Sequence, residues 1–140
     1  MSFSRSARMR SVAVLLSLAA TGCAGQGDVS GKVSYKGKPL VWGTVQFEGS
    51  DNLLRQANIN SDGTYVIRGV AVGQAKVAVS SINPQSSDFQ MRQIEGKAPP
   101  KPRPAVKGWF RIPEKYDAPY KSGLVYTIKR GENKIDIELE

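Results

Sequence analysis

The stretch Asn58–Ser81, NINSDGTYVIRGVAVGQAKVAVSS, constrains the fold more than any other part of the chain. Its apolar residues alternate: Tyr65 and Ile67, then Ala75, Val77 and Val79. That two-residue period belongs to strands that lay one face on a core. Ser61-Asp62-Gly63 supplies turn chemistry, because Gly tolerates positive φ and Asp can bond its own backbone. The sequence therefore predicts a strand, a tight hairpin turn, a second strand, a corner at Gly69-Val70-x-x-Gly73 and a third strand.

The rest of the chain repeats this pattern in shorter units. Val29–Tyr35 places Val33 and Tyr35 on one face, and Lys36-Gly37-Lys38-Pro39 breaks it as a turn. Gly43–Glu48 turns Val45 and Phe47 inward, and Leu54–Asn60 leads into the central turn. Gly123–Lys129 and Asn133–Leu139 read as a last hairpin across Arg130-Gly131-Glu132, with Ile135, Ile137 and Leu139 alternating against Asp136 and Glu138. Short strands separated by turn signals, with no sustained helical period, predict an all-β sandwich or barrel.

Composition removes several chemistries. The 140 residues contain no histidine, which takes away the imidazole of catalytic triads and the commonest metal ligand. The single cysteine, Cys23, cannot close an internal disulfide. No cofactor is expected. Setting aside Arg5, Arg8 and Arg10 of the leader leaves 17 basic against 12 acidic side chains. Residues 92–121 hold eight of the basic side chains against three acidic ones, so this segment carries the whole excess and the β framework is neutral.

At the N-terminus, Arg5, Arg8 and Arg10 precede a short apolar run, Val12–Ala20, followed by small residues. This is the layout of an export signal, and the run is too short to span a bilayer as a mature helix. Ala20-Thr21-Gly22-Cys23 resembles the lipobox of bacterial lipoproteins, with Ala20 where Leu is usual. The resemblance implies a signal peptide over 1–22, lipid attachment at Cys23, a tether over 23–28 and a domain over 29–140. Ala24 is not the Asp that retains some such proteins at the inner membrane, which implies an outer-membrane or cell-surface address. The alternative is ordinary cleavage near Cys23-Ala24 and release of a soluble protein.

Between Ser81 and Ile112 the alternation stops. This insert (82–111) centres on GKAPPKPRPAVK, whose prolines favour polyproline II and forbid a central strand. Lys101, Arg103, Lys107 and Arg111 give it charge, and Trp109 and Phe110 give it apolar anchors. Three uses compete: a solvated arm, electrostatic docking on anionic envelope polymer or lipid, and nucleic-acid binding. An exported chain without a nucleic-acid-binding fold makes the last the weakest. Self-packing of Trp109 and Phe110 is the bland alternative to their contacting a partner.

VSGKVSYKGKP at 29–39, Gly43-Thr44-Val45-Gln46-Phe47, Asp62-Gly63-Thr64-Tyr65 and Gly69-Val70-x-x-Gly73 together resemble the carboxypeptidase regulatory-like domain. The closing segment, Ile112–Tyr116, Ser122-Gly123-Leu124 and Gly131–Leu139, is similar to that of small envelope lipoproteins of the planctomycete type that carry this domain. The resemblance implies a seven-stranded, transthyretin-like β-sandwich of Greek-key type. It also implies a non-enzymatic envelope module with a structural or interaction role. A carbohydrate-binding or enzyme-accessory module is the second possibility, with Trp42 or Trp109 as a stacking platform.

Two further constellations are weaker. Asn58-x-Asn60-x-Asp62-Gly63 has the outline of a calcium loop, yet Asp62 is its only charged member and Gly69 stands where a closing Glu is needed. Lys32, Asn133 and Glu48 have the composition of an intramolecular isopeptide site, although Lys32 alternates opposite Val33 and is expected to face solvent.

Overall fold

The computed structural model describes residues 25–86 and 105–140. Among the described residues nine strands form two sheets: β1 (Gln26–Tyr35), β2 (Lys38–Pro39), β3 (Thr44–Glu48), β4 (Leu54–Asn58), β5 (Thr64–Ala71), β6 (Gly73–Ser80), β7 (Leu124–Ile128), β8 (Gly131–Lys134) and β9 (Ile137–Leu139). A 3-10 turn at Glu114–Tyr116 and a one-turn helix α1 (Pro119–Ser122) precede β7. The all-β architecture expected from the alternation is present.

The first sheet is built on β1. On one flank it pairs antiparallel with β5 and β2, and on the other it pairs parallel with β8 and then β9. The second sheet runs β4-β3-β6-β7, antiparallel throughout. Val29, Val33, Tyr65, Ile67, Val70, Ile137 and Leu139 from the first sheet meet Val45, Phe47, Ala75, Val77, Val79 and Ile128 from the second. The Phe47 and Tyr65 rings stack across the interior with centroids 6.1 Å apart. Each large side chain buried this way contributes about 1.5–3 kcal/mol.

The expected hairpins differ from what forms. Asn60 and Gly63 close the predicted tight turn, with Asn60 N–H donating to Thr64 O and Gly63 N–H to Asn60 O (both 2.9 Å). However, β4 pairs with β3 and β5 pairs with β1, so the turn arches from one sheet to the other. The same holds for β7 and β8, read from sequence as a hairpin: β7 pairs with β6 and β8 with β1. Alternation reports one buried face and says nothing of which neighbour completes the backbone ladder. Both pairs splay because their buried faces point at each other across the core.

Two other boundaries move. The corner expected over Gly69–Gly73 lies at Val72, between β5 and β6, while Gly69 sits beside a bulge where the β1–β5 register shifts and its N–H donates to the Asp28 carboxylate (3.0 Å). β1 begins at Gln26, not Val29, because Gln26 and Gly27 already pair with Ala71 and Val70. A Cβ on Gly27 would lie 2.1 Å from the Lys129 carbonyl oxygen, so close backbone approach requires the glycine. In sequence, that small residue reads as tether.

The last strand is broken in a specific way. Between β8 and β9 the Asp136 carboxylate takes the Lys32 N–H (2.9 Å), and the buried Tyr65 hydroxyl donates to Ile135 O (2.7 Å). Side chains thus replace the ladder bonds lost at the break. Burial, and then the neighbouring Tyr126 and Asp136, push the Tyr65 phenol well above its ordinary value.

Candidate functional site

The insert returns to the sandwich through a cluster of aromatic contacts. Val106–Trp109 forms a turn, with Trp109 N–H donating to Val106 O (3.2 Å). The Trp109 indole N–H then donates to Ser81 Oγ (3.1 Å), and the Ser81 hydroxyl donates to Trp42 O (2.8 Å). Ser81 is buried, so a single hydroxyl links the two ends of the insert to the β2–β3 loop. Phe110 stacks on Tyr35 with centroids 6.2 Å apart and packs against the core. Ile112 and Tyr116 follow into the interior, and the Tyr116 hydroxyl donates to Glu140 O (2.9 Å) while accepting from Glu140 N–H (3.0 Å).

Of the apolar members of the sequence-derived site, Phe110 packs against the protein's own core and Trp109 is held by Ser81. The charged members do not: Lys107 is exposed, and Arg111 is 81% exposed, 3.8 Å from the equally exposed Glu114. Such a pair in open solvent holds neither partner firmly. Lys101, Arg103 and Cys23 lie outside the described residues, as do the leader and most of the Pro-rich run.

Beside this cluster is a cleft of about 620 Å³. One wall is the end of β6 and the chain leaving it, including Ser81 and Asn83; the other is Trp109, Arg111, Glu114 and Asp117. Asn83 folds its own exit into a turn, accepting Gln85 N–H on its side chain (2.9 Å) and Ser86 N–H on its carbonyl (3.0 Å). On the far side Asp117 pairs with Lys121 (2.7 Å), and that hydrogen-bonded carboxylate raises the Lys121 ammonium above its ordinary value. The cleft offers an indole, an amide, a guanidinium and two carboxylates, a set suited to binding polar ligands. Sequence reasoning singled out Trp109 and Arg111 but missed Ser81 and Asn83, whose roles depend on a partner 28 residues away or on the local exit geometry.

The weaker constellations take structural roles. Asp62 accepts from Thr64 N–H (3.0 Å) and the Thr64 hydroxyl (2.6 Å), contacts that hold its carboxyl below the ordinary value. Among the described residues no group of three or more acidic or cysteine side chains is placed to hold a metal. Lys32 is exposed, Glu48 lies in the other sheet near Lys76, and the Asn133 amide is occupied with Lys129 N–H and O and with Asp28 O. The isopeptide trio is not brought together.

No protein-family model matches the chain, and no curated protein does. Among solved structures, it is similar to a DUF3823 family protein from Parabacteroides merdae, with 14% identity and a TM-score of 0.40. The match covers 82% of this chain and 46% of that one, so the chain spans less than half of that structure's length. A likeness of that size carries no argument about fold or function.

Proposed function

We propose that the protein is a non-enzymatic envelope module: a sandwich tethered through an acylated Cys23 that carries its basic, Pro-rich insert at the end remote from the tether. One observation carries this reading. Residues 81–86 and 105–112 leave and rejoin the sandwich at the end where β1 finishes, whereas the chain after Cys23 enters where β1 starts. A ten-residue β1 separates the two ends by about 30 Å. Cations at the remote end face away from the anchoring membrane, which favours anionic envelope polymer over the headgroups of that same membrane as their target. Such contacts are worth about 1 kcal/mol per cation near a charged surface and weaken as salt screens them.

In fold terms we read the sandwich as transthyretin-like. Counting β8 and β9 as one strand broken at Ile135-Asp136, and β2 as the return of β1, leaves seven strands, and successive strands that cross between the sheets are in keeping with a Greek-key path.

The test is binding of the mature chain to its own envelope polymer at low and high salt, beside a variant with Lys101, Arg103, Lys107 and Arg111 all changed to Gln. Trp109 and Phe110 are kept because Trp109 bonds Ser81 and Phe110 packs against the core. The reading requires binding that falls steeply with salt and is lost in the variant; undiminished binding by the variant refutes it. The cleft beside Trp109 favours a second reading, a carbohydrate-binding or enzyme-accessory module. Binding of neutral glycan that resists salt and disappears in Trp109→Phe with Asp117→Asn would support that reading instead.

A further inference from the structure

Four chain segments meet where β1 starts. Gly25 O accepts Val72 N–H (2.8 Å), Val72 O accepts the Ser50 hydroxyl (2.7 Å), and a Cβ on Gly25 would lie 2.4 Å from Arg130 Nε. The β3–β4, β5–β6 and β7–β8 turns are thus gathered around the entry of the chain. Only Ala24 separates Cys23 from the fixed Gly25, so the cysteine Cα lies within about 7 Å of this end. The headgroup layer itself is of the same order, about 5–7 Å on each side of the hydrocarbon.

The surface gathered there has the character of an interfacial patch. Leu53 is 58% exposed beside the β3–β4 turn and Leu54 follows it at 52%. Lys129 and Arg130 are exposed and form no ion pair with another described residue. Of the nearby carboxylates Asp51 pairs with Arg55 (2.9 Å), while Asp28, which accepts the Gly69 N–H, and Glu132 are exposed counter-charges.

We infer that this end is a membrane-resting face, in which Leu53 enters the interface and Lys129 and Arg130 meet anionic phospholipid headgroups. The inference rests on the acylated Cys23 proposed above. Its occupant follows from the tether: a two-residue link leaves no room for another partner between this end and the bilayer. The patch is too nearly neutral to recruit the chain from solution. With the anchor in place, the effective concentration of lipid is so high that weak contacts suffice to set orientation. The sandwich then stands upright on β1, and the remote end with Ser81 and Trp109 faces outward.

The experiment uses the full chain, processed in a bacterial host, purified in detergent and reconstituted into phosphatidylethanolamine–phosphatidylglycerol vesicles carrying a headgroup-linked quencher. Cys23 is the sole cysteine, so once it is acylated a fluorophore can be placed at Glu132→Cys or, on the remote end, at Lys38→Cys. Loss of most emission at position 132 with none at 38 is expected, and Leu53→Ser with Arg130→Glu should abolish the difference. Equal quenching at both positions in the otherwise unaltered chain, or stronger quenching at 38, overturns the inference while leaving the anchor standing. An intact mass lacking the acyl increment on Cys23 removes the anchor and this inference with it.

Discussion

The two ends of the sandwich are closed by different means. At the entry end, bare glycine backbone is covered closely: Gly27 lies against Lys129 O, Gly25 bonds Val72 N–H beneath the Arg130 side chain, and Gly49 lies against Ala71. At the remote end, aromatic side chains from a distant segment do the sealing, with Phe110 on Tyr35, Trp109 on Ser81 and Tyr116 on the terminal carbonyl. An end closed by main chain tolerates no added volume, whereas an end closed by side chains is sensitive to lost volume. In the proposed reading the difference separates two tasks: close contacts at glycines fix the point where the chain enters, and a side-chain plug receives both ends of the insert.

The comparison yields a ranked set of tests. Tyr116→Ala empties a buried site at the remote end and should cost about 3–5 kcal/mol by denaturant unfolding. Tyr116→Phe should cost only about 1 kcal/mol, for the loss of its bonds to Glu140. If the two variants were equally unstable, the plug would act through its hydroxyl and not its volume. Gly27→Ala, at the other end, should cost about 1–3 kcal/mol by overpacking and should loosen amide protection along β8 before the rest. A neutral result there would erase the distinction between the ends.

Tyr65→Phe should cost about 1 kcal/mol at neutral pH, because Ile135 O loses its donor. It also tests a pH dependence. The folded phenol titrates above its ordinary value, so its contribution is complete below pH about 10 and declines as pH rises further. An unfolding midpoint measured against pH should fall on that alkaline limb in the parent and fall less in the variant. Asp62→Ala should give the smallest effect, a shallower loss of stability on acidification. Its carboxyl is held below the ordinary value by Thr64, so that contribution is present above pH about 4 and lost as pH falls through the lower folded value.

Much of the framework was legible because strand alternation is a local property. Tyr65, Ile67, Ala75, Val77 and Val79 are all buried as their spacing requires, and Val45 and Phe47 face them. Sheet membership was not legible. The Asn60–Thr64 turn has hairpin chemistry and closes as one locally, yet its strands belong to different sheets, since pairing partners are chosen by residues far away along the chain. The functional cluster divides the same way. The positive charge of Lys107 and Arg111 could be read directly, and both side chains are exposed. That Trp109 is held by Ser81 and Phe110 packs on the core beside Tyr35 depended on those residues arriving from far away in the chain.

The sequence by itself determined that this chain builds strands with one apolar face, lacks imidazole chemistry and concentrates its positive charge in one Pro-rich segment. Those are consequences of residue type and period, which need no partner. Tertiary structure alone decided that hairpin-like turns become arches between sheets, that Gly27 is strand and not tether, and that the start of β1 and the described ends of the insert, beside Ser81 and Trp109, lie at opposite ends. Each of these depends on which backbone groups find one another across the fold, a choice made by collective burial and hydrogen bonding over long separations in sequence.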